Sequence, residues 1–430
     1  MKSVKLSLVA ALAAGSLAAS AGAVSLADAI GEVEVNGYSR LRYDNVVTSV
    51  KPGDNSYSNA KHRFTTEADF KAGFGDGFYG VVGFKYDSFD LSGDPSWANT
   101  AKYSQGNNLS TQTSFDVNHY YLGYKVGNTE VMLGRQTLGT FFTDDMSGTG
   151  VKVVNTDLPG LVLAAVAFDN LENDSDGKAL GLPTKDGVSG GKVGENNLYG
   201  VAAIGSYAPV GFQVWVAGLE NVLKYTVAGE VTGSFDLDAV KLTGKAQFST
   251  NAASEKAVLG VLGDSTYYGV ELKAAAGLGE GLAVDAQLGY VDFSTDKDKA
   301  GVITVEDAGA LINTGFQLLP GRAGGANGYS LFAGENSALL ASVGVKFLDK
   351  FRFSLEGVWG SNENTLGAVG GLVGYAKYDS TEYLARLNYA HNAKLSFQTF
   401  YSTMELKNKS EGSDKKYTSD QFRVQAMYKF

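Results

Sequence analysis

The chain has 430 residues, a formal net charge of −10 and no cysteine. It can therefore have neither a disulfide framework nor thiol chemistry, and the acidic balance argues against a nucleic-acid partner while suiting cations. With 55 glycines, 23 tyrosines and 23 phenylalanines against 6 prolines, the composition suits one large antiparallel sheet.

The first element is a targeting segment. Lys2 and Lys5 form a basic start, Leu6 to Ala14 a short apolar core, and Ala21-Gly22-Ala23 an A-x-A-like cleavage site. The apolar run is too short for a membrane-spanning helix. Residues 1–23 are thus expected to be a secretory signal peptide, and residues 24–430 a single exported domain.

Strand patterns follow. Glu32 to Asp44 alternates, with Val33, Val35, Ser39 and Leu41 against Glu34, Tyr38, Arg40 and Arg42. A polar loop is expected from there to about Ala60. Lys61 to Phe74 puts Phe64, Ala68, Phe70 and Phe74 on one face and Arg63, Glu67, Asp69 and Lys71 on the other. Period two marks a strand with one apolar and one polar face. Gly75-Asp76-Gly77 turns into Phe78 to Asp90. The rhythm of long loop and short turn then repeats. Ser114 to Val126 pairs with Thr129 to Gln136, Val151 to Thr156 with Leu161 to Asp169, and further strands fill Asn196 to Thr250. Tyr267 to Leu278 pairs with Leu282 to Ser294. The longest connection, Thr295 to Ser337, precedes the hairpins around Leu348-Asp349-Lys350 and His391-Asn392. The chain closes on Gln421 to Phe430, where Phe422, Val424, Ala426, Tyr428 and Phe430 share a face against Arg423, Gln425 and Lys429.

The pattern predicts about 18 strands in an all-β, transmembrane antiparallel barrel with short turns on one side and long loops on the other. In the outer membrane the apolar face meets lipid and the charged face lines a water-filled lumen. A flat aromatic edge such as the last strand would be an aggregation hazard in an open sheet, and a closed barrel removes that edge. No Walker loop, Rossmann fingerprint or metal-hydrolase helix is present, and no G-x-S-x-G elbow at a strand-to-helix turn supports a hydrolase. Three histidines, His62, His119 and His391, give little ground for an enzyme. No enzymatic activity and no organic cofactor are expected.

Several strings resemble the Campylobacter major outer membrane protein family: MKSVKLSLVAALAAG at the start, Gly148 to Asn155, Asn197-Leu198-Tyr199-Gly200, Gly205-Ser206-Tyr207, Glu306-Asp307 with Gly309, Ala393 to Phe397, and Gln425 to Phe430. They span essentially the whole length. The resemblance implies a trimeric general porin with a barrel of about 18 strands. It further implies cation-preferring passive diffusion of small hydrophilic solutes, with calcium at the constriction. Outer-membrane lipid and lipopolysaccharide would surround such a barrel.

In porins of this design a loop folded into the lumen faces basic residues on the wall. The loop expected here is Thr137 to Thr149, which carries Phe141, Phe142, Asp144 and Asp145 and is a few residues shorter than the family pattern. Arg40, Arg42, Arg63, Arg352, Arg386 and Arg423 are the candidates for the facing wall, with pairing to Glu67, Asp69 and Glu356 as their other role. Adjacent carboxylates opposite a basic wall set up a transverse field and raise the local cation concentration. Calcium needs six to eight or so hard oxygen ligands, and the candidate carboxylates are Asp144, Asp145, Asp169, Glu306 and Asp307. Three other readings stay open. A surface adhesin or structural barrel would bind host ligands through loops Leu91 to Thr113 and Thr295 to Ser337. A substrate-specific channel would show saturable flux. A hydrolase would need His62 on the lipid face.

Overall fold

The computed structural model describes residues 33–52, 55–93, 112–172, 196–255, 262–321, 328–364, 377–410 and 415–430. The expected signal peptide lies outside them, as do most of the loop expected at Leu91 to Thr113 and most of the polar loop expected after Asp169.

Eighteen strands form one antiparallel sheet. In chain order they begin with β1 (Glu34–Lys51), β2 (Asn55–Gly75), β3 (Phe78–Gly93), β4 (Gln112–Val126), β5 (Thr129–Thr137) and β6 (Ser147–Asn155). Then come β7 (Leu161–Glu172), β8 (Leu198–Tyr207), β9 (Val210–Leu219), β10 (Leu223–Leu237), β11 (Val240–Ala253), β12 (Ser265–Gly279) and β13 (Leu282–Thr295). Two two-residue strands, β14 (Ala300–Gly301) and β15 (Phe332–Ala333), pair with each other inside the next connection. The wall resumes with β16 (Glu335–Phe347), β17 (Phe351–Glu363), β18 (Lys377–Ala390), β19 (Leu395–Asn408) and β20 (Lys416–Lys429).

Each wall strand pairs with its sequence neighbour, and β20 pairs back onto β1, with Leu41 opposite Ala426. Phe430 completes the seam: its N–H donates to Gly37 O at 3.0 Å and its carbonyl accepts from Gly37 N at 3.2 Å. The sheet is therefore a closed barrel with no free edge. The polar stretch expected as a loop after Asp44 is instead strand: β1 continues to Lys51 and β2 begins at Asn55. A ladder that stands in water on both faces keeps its backbone bonds without alternating hydrophobicity, so periodicity is silent there.

Alternation sets the two faces. Leu41, Phe64, Leu122, Val270, Leu288, Leu355, Phe422 and Val424 are exposed on the outer wall. Their neighbours Asp44, Arg63, Glu271, Ser354, Glu382 and Arg423 face inward and are buried. At the short-turn end aromatic rings contact one another around the wall. Phe78 stacks on Tyr124 at 4.3 Å, Phe347 on Phe351 at 5.3 Å, and Phe351 on Tyr389 at 4.6 Å. Such a girdle marks the lipid–water boundary.

The inward residues are buried because the lumen is partly filled. The connection between β13 and β16 folds inside the barrel, where Val302, Ile303, Val305, Leu311, Ile312, Leu318 and Tyr329 form a core with wall residues Trp215 and Tyr267. Wall side chains accept and donate for its backbone. Gln247 on β11 takes Ile312 N at 2.8 Å and gives to Ala310 O at 2.8 Å. Asn251, also on β11, donates to Val302 O. Across the lumen, the Glu382 carboxylate on β18 accepts from Phe316 N (2.7 Å), Gln317 N (2.9 Å), Leu318 N (3.1 Å) and Ser402 Oγ (2.7 Å). Gln317 Nε2 reaches Ser402 Oγ on β19 at 2.8 Å and Ser419 O on β20 at 3.2 Å. The segment thus spans from one wall to the other. The adhesin reading loses this loop as a free surface ligand.

Glu382→Ala would leave three backbone donors without their acceptor, at about 1–3 kcal/mol each in a dry site. Limited proteolysis of the folded barrel is expected to cut within residues 315–321 in Glu382→Ala and to spare the wild type, with Glu382→Gln intermediate. Equal protection of all three would show that the carboxylate does not hold the loop.

Candidate functional site: a constriction made by two loops

The loop between β5 and β6 is the second part of the partition. Leu138, Phe141, Phe142 and Met146 are buried, and Phe142 meets the Trp215 ring at 6.4 Å. Its backbone docks on the long segment: Val305 N donates to Phe142 O at 2.8 Å and Ala310 N to Phe141 O at 3.0 Å. Glu306 is the junction. Its Oε2 accepts from Asp144 N at 3.1 Å and Met146 N at 2.7 Å. Burial first, and then the nearby Asp145 charge, push its carboxyl pKa up to about 8. Asp144 and Asp145 themselves stay exposed. Asp145 lies near enough to Tyr38 of β1 and Lys85 of β3 to act on both electrostatically.

The facing wall runs from β20 through β1 and β2 to β3. Arg423 holds Asp44 through Nε at 2.5 Å and Nη2 at 3.1 Å, with its guanidinium 4.6 Å from the Phe316 ring centroid. Arg63 holds Asp87 through Nε at 2.9 and 3.0 Å, and Thr65 Oγ1 donates to the same carboxylate at 2.6 Å. Lys85 lies 3.6 Å from Glu67. Arg42 donates to Gln425 at 3.0 Å, and Arg40 lies over the Tyr38 ring. Arg40 Nε and Nη2 are buried with no hydrogen-bond partner among the described residues.

The structure brings Asp144, Asp145, Glu306 and Asp307 to one junction and sets Arg42 and Arg63 side by side on the wall, but it does not gather every residue singled out from sequence. Arg352 forms a two-pronged pair with Asp285 at 2.6 and 3.0 Å beside a short turn, away from the belt. Arg386 pairs with Glu356 at 3.1 Å and shares the Phe400 ring with Arg423, so it flanks the belt. Asp169 alternates with the inward Phe168 and is exposed on the opposite side of β7. Alternation alone would have assigned that face. The long segment 302–319 had no such signal, because an irregular loop carries no period.

His119 is also inward and buried. Its Nδ1 lies 2.8 Å from Asp69 Oδ1, and its Nε2 lies 3.1 Å from Thr137 Oγ1 and 3.4 Å from Ser147 Oγ. His62, the histidine that the hydrolase reading needs, is exposed on the outer face with its ring 4.8 Å from Tyr43.

A closed 18-strand barrel with a lipid-facing apolar wall and a charged, loop-narrowed lumen defines an outer-membrane porin. The family model for the Campylobacter major outer membrane protein matches residues 1–430, and the chain belongs to that family. It is thus a protein of the bacterial outer membrane. The search of curated proteins finds no match. Among solved structures the fold is similar to Pseudomonas aeruginosa OccK9 (OpdG), with a TM-score of 0.69, 13% identity, and coverage of 94% of this chain and 100% of that one. Pseudomonas aeruginosa opdK gives 0.67, 14%, 92% and 98%, and Acinetobacter baumannii OccAB4 gives 0.66, 14%, 92% and 98%. At these identities the likeness is one of fold.

Phe142→Ala removes the ring that seats the β5–β6 loop, and deletions of this kind cost about 3–5 kcal/mol. Single-channel recording is expected to show larger and noisier openings in this variant. Unchanged, quiet openings would show that the loop does not set the aperture.

Proposed function

We propose that the protein is a general porin that lets ions and small hydrophilic solutes diffuse across the outer membrane, with a preference for cations. One observation carries the preference. Asp144 and Asp145 are exposed at the partition, whereas Arg63 and Arg423 on the facing wall are each tied to a buried carboxylate. Arginines tied to buried carboxylates project less field into the opening than exposed carboxylates do. The remaining wall cations, Arg40, Arg42 and Lys61, give the field its transverse direction.

Calcium is the ion proposed at the partition. Asp145 and Asp307 both oppose ionisation of Glu306, and a dication would relieve that repulsion. Asp144, Asp145, Glu306 and Asp307 would supply hard oxygen ligands. Asp169 is no longer a candidate. We also propose a homotrimer, on the basis of family membership. The low side of the barrel, where β5 and β6 have 9 residues each, suits cover by a neighbour. Outer-membrane lipid and lipopolysaccharide would surround the remaining wall.

The reversal potential of the purified protein in a planar bilayer under a salt gradient tests this reading. Cation selectivity with openings in steps of three is expected, and Asp145→Asn is expected to shift the potential towards zero. Anion selectivity would place control with the arginine wall. A well-folded protein without channels would remove the porin reading and favour the adhesin. Separately, removing calcium with a chelator is expected to lower the denaturant midpoint of the wild type and to leave that of Glu306→Gln unmoved.

A further inference from the structure

The lumen wall beside the β5–β6 loop holds a second group of potential ligands, distinct from the partition carboxylates. Glu67, Asp69 and His119 each offer one ligand atom, and these atoms lie within 4.8 Å of one another. No other group of three histidine or carboxylate side chains comes this close among the described residues.

A backbone irregularity builds the group. Gly83 pairs with His119, but Lys85 pairs with Asp116, so β4 carries one residue more than β3 over this stretch. The extra residue is a β-bulge, which re-aims side chains. Val117 and Tyr120 are exposed on the outer wall, and both residues between them, Asn118 and His119, turn to the lumen. A regular strand would have sent one of the two into lipid.

The opposing residue is Gly83, and its missing side chain leaves the floor open. A Cβ there would lie 2.1 Å from Asp69 Oδ1, 2.9 Å from Asn118 Oδ1 and 2.9 Å from His119 Cβ. Asn118 Oδ1 is wholly buried and has no hydrogen-bond partner among the described residues. It is an acceptor on the same face of the sheet as Asp69 Oδ1, both lying within 3 Å of where a Gly83 Cβ would stand. A buried acceptor left in this way needs an explanation, and an ion is one.

We propose that Asp69, His119, Glu67 and Asn118 form a binding site for a first-row transition-metal dication on the wall of the lumen. An imidazole nitrogen among oxygen ligands selects such metals over calcium and magnesium. His119 Nδ1 is the ligand atom, since it faces Asp69. Nε2–H then donates to Thr137 Oγ1, which fixes the tautomer and the ring orientation, as outer partners of metal-binding histidines do. Ligand atoms about 2.0–2.2 Å from one metal stand roughly 3.3–3.6 Å apart, so the His119–Asp69 pair opens from its 2.8 Å while Glu67 closes in. Glu67 does so by leaving Lys85. The bound ion adds positive charge to a wall that cations pass. The site does not depend on calcium at the partition or on the porin reading.

Zinc titrated calorimetrically into chelator-stripped, detergent-solubilised protein is the test. One zinc per chain is expected at micromolar affinity, unaffected by excess calcium. His119→Gln and Asp69→Asn are each expected to weaken binding by roughly tenfold or more, and His62→Gln is expected to leave it unchanged. Heat-modifiable mobility on gels confirms that each variant is a folded barrel. Folded wild type that takes up no zinc would overturn the site, as would equal uptake by the wild type, His119→Gln and Asp69→Asn.

Discussion

Backbone amides cannot go unpaired inside a bilayer, and everything else in this molecule follows from that constraint. Eighteen strands satisfy it by closing the ladder, and the seam between β1 and β20 is finished by the last residue, Phe430. Closure fixes the faces: apolar side chains meet lipid, so the charged ones share the lumen. A lumen of this size cannot be filled by wall side chains alone. The chain fills it with two loops, and the same constraint returns on a smaller scale. An irregular segment packed inside a barrel also needs partners for its amides. Glu382, Gln247, Asn251 and Glu306 supply them from fixed positions.

This solution shapes the electrostatics of the opening. Carboxylates such as Glu306 and Glu382 are occupied with backbone donors, and Asp44 and Asp87 are occupied with arginines. What stays exposed at the partition is the Asp144-Asp145 pair. The field across the opening therefore depends less on how many charges line the lumen than on which of them are already committed to structure.

The barrel was legible in the sequence because lipid imposes a period of two. Phe422 and Val424 against Arg423, and Phe64 against Arg63, could be sorted without coordinates. Beyond the membrane the period vanishes, which is why the ladder from Asp44 to Ala60 read as a loop. The partition was half legible. Phe141 and Phe142 beside Asp144 and Asp145 marked the β5–β6 loop, but the β13–β16 connection read as a long outer loop. Its inward course depends on pairwise fits, such as Phe316 against Arg423 and Phe400, that no local pattern records. The bulge that turns Asn118 and His119 to the same side was hidden for the same reason. One extra residue shifts the parity, and His119 then looks ambiguous.

The central claim is that the β13–β16 segment narrows the channel by crossing the lumen. Its most direct test compares the single-channel conductance of the wild type with that of a barrel in which residues 302–319 are replaced by a short glycine-serine linker. The structure predicts a severalfold rise in conductance together with weaker ion selectivity. An unchanged conductance in a folded barrel would contradict it, because the aperture would then be set elsewhere.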